Sequence, residues 1–388
     1  MAIKVGMVSL GCAKNQVDGE MLMANLKNAG FELCDDAALA DVAIVNTCGF
    51  IDSAKQESID EILELATLKK EGRIKKIVVT GCLAERYREE IHKELPEVDG
   101  VFGIGANADI AACIKSAMND FTESFPEKSK MPLCGERELS TPSYFAYIKI
   151  AEGCDKCCTY CIIPKVRGEY RSVPMELLLD EARQLAGKGI KELILVAQET
   201  TLYGMDLYGE KKLPELLDRL CEIEGLIWIR IMYCYPEEIT QELIDVMKRQ
   251  TKICHYLDIP IQSGTDRILK LMGRRTDTAQ IEALVDHLRE EIPDICIRTT
   301  FITGFPTETE EDFTETMEFI NRMEFDRLGA FTYSPEEGTP ASGMDGQVEE
   351  EIKLRRQQEM MELQQEIAFE AAENMKGREL TVMIEGKL

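Results

Sequence analysis

Cys154-Asp-Lys-Cys157-Cys158-Thr-Tyr160-Cys161 puts four thiols within eight residues, directly after an apolar run near 144–151 that reads as a β-strand. Two parsings compete. Taken as Cys154-x2-Cys157 with Cys158-x2-Cys161, four thiolates could make a tetrahedral zinc or single-iron site, but the two halves adjoin, with no loop to fold one over the other. Taken as Cys154-x3-Cys158-x2-Cys161, three thiolates hold a 4Fe–4S cluster and leave one iron open. Buried, unreactive cysteines are the third reading, and one hard to sustain at this density. In the second parsing the Gly153-containing loop presents the cluster at the carboxyl end of a strand, and Cys157 is a bystander or a competitor for iron.

Reading outward from that stretch decides the fold. Further strands are expected near 191–198, 227–232, 256–261, 295–303 and 326–333. Helices are expected near 175–188, 213–223, 237–249, 277–290 and 308–323. About six strand–helix units imply a partial or complete parallel barrel, with its site at the strand carboxyl ends. A charged helix follows from Val348 to Met375. Glu379–Glu385 then reads as one strand, and because a lone strand is unstable the chain is expected to run on into a further β domain.

The amino-terminal part is a second α/β series. Ile3–Leu10, Asp41–Thr47, Lys76–Gly81 and Gly100–Ile104 read as strands, and Ser53-Ala-Lys-Gln56 as a capping box opening a helix with Ile59, Ile62, Leu63 and Ala66 on one stripe. Such alternation predicts a parallel sheet covered on both faces. Residues 119–142, with Asn119-Asp120, Pro126, Pro132 and Pro142, read as a linker. The domain plan is therefore 1–118, a linker over 119–142, a barrel over 143–345, a helix over 346–377 and the start of a last domain over 378–388. Cys12, Cys48 and Cys82 each follow a predicted strand and adjoin a glycine. Strand carboxyl ends of an open parallel sheet share one edge, where ligands bind. Coincidence is the alternative, since free cysteine is a common core residue; three at equivalent positions favour a shared metal centre, again with an open iron.

Composition bounds the function. The 388 residues carry 71 acidic and 45 basic side chains, a formal net charge of −26, with 14 cysteines and 3 histidines. So few histidines leave little room for a histidine-rich metal site, and the acid excess repels nucleic-acid phosphates unless a basic patch intervenes. No stretch approaches the ~18 apolar residues of a membrane span, and the first residues are not patterned as a signal peptide. A cytoplasmic protein is expected, whose cysteines stay reduced unless they bind metal or do chemistry.

The Cys-x3-Cys-x2-Cys spacing with Tyr160 resembles the radical S-adenosylmethionine (SAM) superfamily. Together with Ser9-Leu-Gly-Cys12-Ala-Lys-Asn15-Gln-Val-Asp18, Asn46-Thr-Cys48-Gly-Phe-Ile51 and Gly81-Cys82-Leu, it resembles the radical SAM methylthiotransferases, in their ribosomal-protein aspartate branch rather than the tRNA-adenosine branch. Further similarity lies in Gln198–Asp206, Pro260-Ile-Gln262-Ser-Gly264, Met272-Gly-Arg274-Arg275, Thr303-Gly-Phe-Pro306 and Tyr333–Thr339, so it spans essentially the whole chain. Gly19, where that branch usually has serine, and the additional Cys157 depart from it.

The resemblance implies a flavodoxin-like amino-terminal domain with one 4Fe–4S cluster on Cys12, Cys48 and Cys82. It implies a partial TIM-type radical SAM barrel with a second 4Fe–4S cluster on Cys154, Cys158 and Cys161, and a carboxy-terminal TRAM β-barrel that binds substrate. The implied reaction adds a methylthio group to the β-carbon of an aspartate in the twelfth protein of the small ribosomal subunit: one SAM methylates a sulfur, and a second yields the radical that abstracts hydrogen. Gln198 and Glu199, after the second barrel strand, could receive the SAM amino group; Gln262, Ser263 and Arg298, at later strand ends, could reach its ribose or carboxylate. Alternatively these polar residues only satisfy loops. The expected partners are a small basic ribosomal protein or the small ribosomal subunit, and an electron donor; no membrane and no direct nucleic-acid contact are expected. Two other readings are a tRNA methylthiotransferase and a non-catalytic iron–sulfur carrier, the latter leaving the barrel unexplained.

Overall fold

Val42-Ala-Ile-Val45 and Ile77-Val-Val79 are continuous apolar runs with every side chain buried, the mark of central parallel strands covered on both faces. The computed structural model, which describes residues 2–386, resolves the chain into two compact units: Met1–Thr141, Tyr147–Asp155 and Ile162–Glu181 in the first, Pro142–Ala146, Lys156–Cys161 and Ala182–Leu388 in the second.

The first unit runs β1 (Lys4–Ser9), α1 (Ala13–Asn28), β2 (Glu32–Leu33), β3 (Val42–Thr47), α2 (Asp52–Lys70), β4 (Lys76–Gly81), α3 (Cys82–Tyr87), α4 (Glu89–Glu94), β5 (Gly100–Phe102), α5 (Ile110–Ala117) and β6 (Thr122–Ser124). The strand order is β2-β1-β3-β4-β5-β6, parallel throughout. Its first five strands follow the flavodoxin-like order, in which the chain reverses direction across the sheet between β1 and β3. One face packs Ile62, Leu65, Ile77 and Val79 under α2; the other packs Leu22, Leu26, Ile110 and Ile114 of α1 and α5.

Two expectations fail here. Residues 119–142 are not a bare linker: β6 extends the sheet beside β5, and Met131 and Arg137 are buried. The capping box at Ser53 does not form, because α2 starts two residues earlier than that box requires, after Ile51, which makes no side-chain cap. Asp52 supplies the negative charge favoured in a first turn and pairs with Lys55.

The chain continues through β7 (Phe145–Lys149), β8 (Ala151–Glu152), α6 (Ile163–Arg167), β9 (Arg171–Ser172) and α7 (Met175–Gly187). Then come β10 (Glu192–Val196), α8 (Met205–Tyr208), α9 (Leu213–Cys221), β11 (Trp228–Ile231), α10 (Gln241–Arg249), β12 (Ile253–Asp258), α11 (Asp266–Leu271), α12 (Thr278–Glu291), β13 (Cys296–Thr303), α13 (Glu310–Met323), β14 (Arg327–Thr332) and α14 (Glu350–Asn374). The second sheet has the sequential order β7-β10-β11-β12-β13-β14, the open partial barrel expected from six strand–helix units. β13 alternates strictly between buried and half-buried residues, as a strand between a helix layer and a barrel interior must. Phe301, Phe319 and Phe325 form one aromatic group on the helix side. Reciprocal capping boxes fix the starts of α12 (Asp277, Gln280) and α13 (Thr309, Asp312).

Residues 378–386 form no strand, and Leu380, Val382 and Ile384 are exposed. The strand expected over 379–385 is therefore absent: no neighbouring strand pairs with it, and an unpaired strand has no ladder to hold it. The remainder of the expected TRAM start, residues 387–388, lies outside the described residues. Among the described residues no helix is long and apolar enough to cross a membrane.

Candidate functional site

β1, β3 and β4 end at one edge of the first sheet, and each delivers a cysteine there. Cys12 caps α1, Cys48 directly follows β3, and Cys82 opens α3. Cys12 and Cys48 thus follow the two strands that flank the chain reversal, where open α/β sheets bind ligands. The glycines beside them keep the approach close. Gly11 has φ +87°, and a Cβ there would lie 2.7 Å from Cys48 Cβ and 2.9 Å from its Sγ. A Cβ on Gly49 would stand 2.8 Å from the Leu83 amide. Ser58 of α2 clamps Cys48 from behind, accepting from its N–H at 3.1 Å and donating to its C=O at 3.0 Å.

The three thiols lie within electrostatic reach of one another. Burial pushes the Cys48 thiol up, and Cys12 adds to the shift. Burial pushes Cys82 up to about 12, against the Arg167 guanidinium and reinforced by Cys12 and Cys48. Deprotonating these sulfurs therefore needs a strong compensating cation, which iron ligation would provide. Among the described residues no three His, Cys, Asp or Glu side chains close around one point as they do for a single bound ion. Three thiols about a shared strand edge are the donor type that iron–sulfur clusters use.

Around this edge the first unit is bound together by polar groups. Asn15 of α1 donates to the carbonyls of Leu10, Asn46 and Thr47, at 2.8, 3.3 and 3.3 Å, tying the ends of β1 and β3. Asn46 returns bonds to Asn15 O and Ser9 Oγ. A Cβ on Gly19 would sit 3.1 Å from Asn46 Nδ2, Met7 Sδ and Ser9 Oγ, so glycine there leaves the network uncrowded. Lys149, Glu152, Asp18 and Arg167, all buried, form an ion cluster in which Lys149 holds Asp18 and, at 2.8 Å, Glu152.

The second cysteine motif leaves β8 through Gly153 (φ +80°), where any Cβ would collide with the Glu169 carbonyl oxygen. The Cys154 amide donates to Gly168 O at 3.2 Å. Within the second unit Thr159 pins the loop, its N–H on Met272 O at 3.0 Å and its hydroxyl on Leu271 O at 2.8 Å. Cys158 is buried, with Sγ 3.3 Å from the Tyr235 hydroxyl. Arg274 lies 4.2 Å over the Tyr235 ring and donates to Pro260 O. Cys157 is exposed, in left-handed backbone at φ +54°.

Of the five residues expected near SAM, Gln198 and Glu199 lie two and three residues past the end of β10. Glu199 is fully buried; Oε1 accepts the Thr201 N–H at 2.8 Å and the Thr201 hydroxyl, while Oε2 has no partner. Burial raises its carboxyl to about 7, against the Thr201 bonds and Lys156. Gln262 holds φ +83° and bridges to Phe301 of β13. Ser263 Oγ accepts the Thr265 N–H at 3.3 Å, a turn role. Arg298 is not at a strand end: it is the third residue of β13, opposite Asp258, and donates to that carboxylate at 2.7 Å. The register pairs Cys296–Arg298 with Tyr256–Asp258, so the start of β13 lies level with the end of β12.

With this geometry in hand, residues 4–103 match a family described as uncharacterized protein family UPF0004, and residues 148–320 match the radical SAM superfamily. A relative from Lachnoclostridium phytofermentans, described as ribosomal protein uS12 methylthiotransferase RimO, is 56% identical over all of this chain and 88% of its own length. One of the same description from Clostridioides difficile is 48% identical, over all of this chain and 87% of its own. The chain belongs to the uS12 methylthiotransferase family. It is accordingly a radical SAM enzyme of the methylthiotransferase class. Among solved structures, the radical SAM methyltransferase TsrM from Kitasatospora setae superposes with a TM-score of 0.65 at 15% identity, over 88% of this chain and 77% of its own. The radical SAM enzyme OxsB superposes at 0.57 and 16%, over 88% and 54%. These two share the fold.

Sequence reasoning named the six cysteines and passed over what supports them. Asn15 and Asp18 lie one helical turn apart on α1, a spacing that puts both on one face. Arg167 stands six residues beyond Cys161 in Ile162-Ile-Pro-Lys-Val-Arg167, where nothing in the spacing sets it apart from Lys165; only its burial against distant partners does.

Proposed function

We propose that Cys12, Cys48 and Cys82 hold an auxiliary 4Fe–4S cluster, that Cys154, Cys158 and Cys161 hold the radical SAM cluster, and that the enzyme methylthiolates the β-carbon of an aspartate in uS12. The observation that carries the reading is the first triad: three thiols at the carboxyl ends of β1, β3 and β4, two of them following the strands that flank the chain reversal. Each triad leaves an iron without a protein ligand. When bound, the radical cluster with SAM supplies hydrogen abstraction from an unactivated carbon, and the auxiliary cluster supplies a held sulfur.

The protein's own groups do the rest. Ser58 and Gly11 fix where Cys48 points. Tyr235 fixes the Cys158 sulfur, and Arg274 stacks on its ring. Glu199 offers a buried carboxyl with one oxygen uncommitted, suited to the SAM ammonium, with Gln198 and Gln262 as neutral hydrogen-bonding groups for the rest of the molecule. Ser263 is occupied by Thr265 in a turn, which supports the loop-satisfying reading for it, and Arg298 is occupied by a strand-to-strand ion pair with Asp258.

The charge of −26 favours a basic ribosomal protein over RNA, since opposite charge accelerates encounter and like charge suppresses it. A one-electron donor of low potential must reduce the radical cluster, and reduced thiols at 14 cysteines suit the cytoplasm. The test is anaerobic incubation of the reconstituted enzyme with SAM, dithionite and either uS12 or tRNA. The expected product is uS12 heavier by one CH2S unit at an aspartate, with tRNA unchanged. Modified tRNA with untouched uS12 overturns the substrate assignment.

A further inference from the structure

Arg167 ends α6, a short helix closed by Gly168 at φ +83°. Its side chain is almost wholly buried, and every branch of the guanidinium is engaged. Nε lies 3.2 Å from Cys82 Sγ. Nη1 donates to Asp18 Oδ2 at 2.6 Å and Glu152 Oε2 at 3.3 Å, and Nη2 donates to Asn15 Oδ1 at 3.0 Å. Ile162 and Val166 close over the other side of Cys82. A buried arginine costs several kcal/mol of desolvation and is retained only with full hydrogen bonding. Here Arg167 and Lys149 balance Asp18 and Glu152, so the ion cluster is neutral without any thiolate. The one donor that serves no carboxylate or amide is aimed at sulfur.

We propose that Arg167 is a positioning residue of the auxiliary site: it locks the Cys82 sulfur in place and raises the reduction potential of the cluster ligated there. This rests on Cys82 being a ligand. Hydrogen bonds to ligand sulfurs and the net charge around a cluster set its potential, and a cationic donor stabilises the reduced, more negative state. Asn15 and Asp18 follow Cys12 on α1 and orient the same guanidinium, so one arginine couples the first cysteine's helix to the third cysteine's sulfur. A lysine, a single point of charge without the planar fork, cannot hold Asp18, Asn15 and sulfur together.

The test uses the full chain with Cys154, Cys158 and Cys161 replaced by alanine, so that only auxiliary iron remains. Arg167→Gln, Arg167→Lys and the charge-balanced double variant Asp18→Asn with Arg167→Gln are reconstituted in this background; Asp18→Asn alone serves as reference for the double. Expected are a more negative midpoint potential in Arg167→Gln than in the background, and in the double variant than in its reference. Iron loss to a chelator should be about tenfold faster in all three Arg167 variants, as for loss of one hydrogen bond to a charged group. If Arg167→Gln does not fold, the double variant, which strands no carboxylate, and Arg167→Lys carry the same readouts. Folded Arg167 variants whose potential and chelator kinetics equal those of their references overturn the proposal. Cys82→Ala separates the underlying assumption: retention of the cluster there refutes Cys82 as a ligand, whereas its loss alongside unaltered Arg167 variants refutes Arg167 alone.

Discussion

Replacing Glu199 by glutamine is expected to stabilise the second unit by an amount that grows with pH. Glu199 is fully buried and one carboxyl oxygen has no partner. Burial raises its pKa from 4.5 to about 7. An acid whose folded pKa lies above its unfolded value binds a proton on folding, so the native state is penalised increasingly as pH rises from about 4.5, and the penalty is complete above about 7. At about 1.4 kcal/mol per decade of pH over that interval, the full penalty is about 3 kcal/mol, most of it developing between about pH 5 and 8. Glutamine keeps the shape and never ionises. The chain's single tryptophan, Trp228 of β11, reports unfolding of the same sheet, so urea titrations of the apoprotein followed by its fluorescence measure the effect directly. The stability difference between Glu199→Gln and wild type should widen by about 2–3 kcal/mol from pH 5 to pH 8. A difference constant with pH would refute the argument, because it would mean the carboxyl is already ionised, or solvated, in the folded protein.

Three other outcomes follow from the cysteine sites. Gly11→Ala places a Cβ 2.7 Å from Cys48 Cβ on left-handed backbone, so Cys48 must retreat; reconstituted iron should fall from about eight to about four per chain, with radical-cluster iron retained. Gly153→Ala, whose Cβ meets the Glu169 carbonyl, should do the converse, losing the iron assigned to Cys154, Cys158 and Cys161; iron analysis of this variant in the Cys12, Cys48 and Cys82 triple-alanine background distinguishes the two. Cys157→Ser should leave both iron content and the SAM-induced spectral change unaltered, since Cys157 is exposed and turned into left-handed backbone.

The parts of the fold that are local in sequence were legible there. Apolar runs such as Val42–Val45 and the strand–helix alternation announce parallel sheets, and even the carboxyl-end positions of Cys12, Cys48 and Cys82 follow from chain order. What escaped is non-local or a matter of one residue. β6 is three residues long, and its pairing with β5 depends on a neighbour already in place; nothing in Thr122-Glu-Ser124 marks a strand. The start of α2 shifted by two residues because Asp52 can serve the first turn as well as Ser53 can cap it. Glu379–Glu385 has the alternation of a strand but no neighbour to pair with. Arg298 was expected at a strand end, but the register that sets it opposite Asp258 puts it near the start of β13, and register is not readable from one strand's own sequence. The partners of Arg167 lie 15 to 152 residues away in sequence, beyond the reach of any periodicity.

The central claim is that this chain holds two clusters on two separate sets of three cysteines. Anaerobic reconstitution of wild type and of the two triple-alanine variants, Cys12/Cys48/Cys82 and Cys154/Cys158/Cys161, with iron and sulfide counted per chain, tests it most directly. About eight irons in wild type and about four in each variant are predicted. Four irons in wild type, or a triple variant that loses all of its iron while the other loses none, would contradict it.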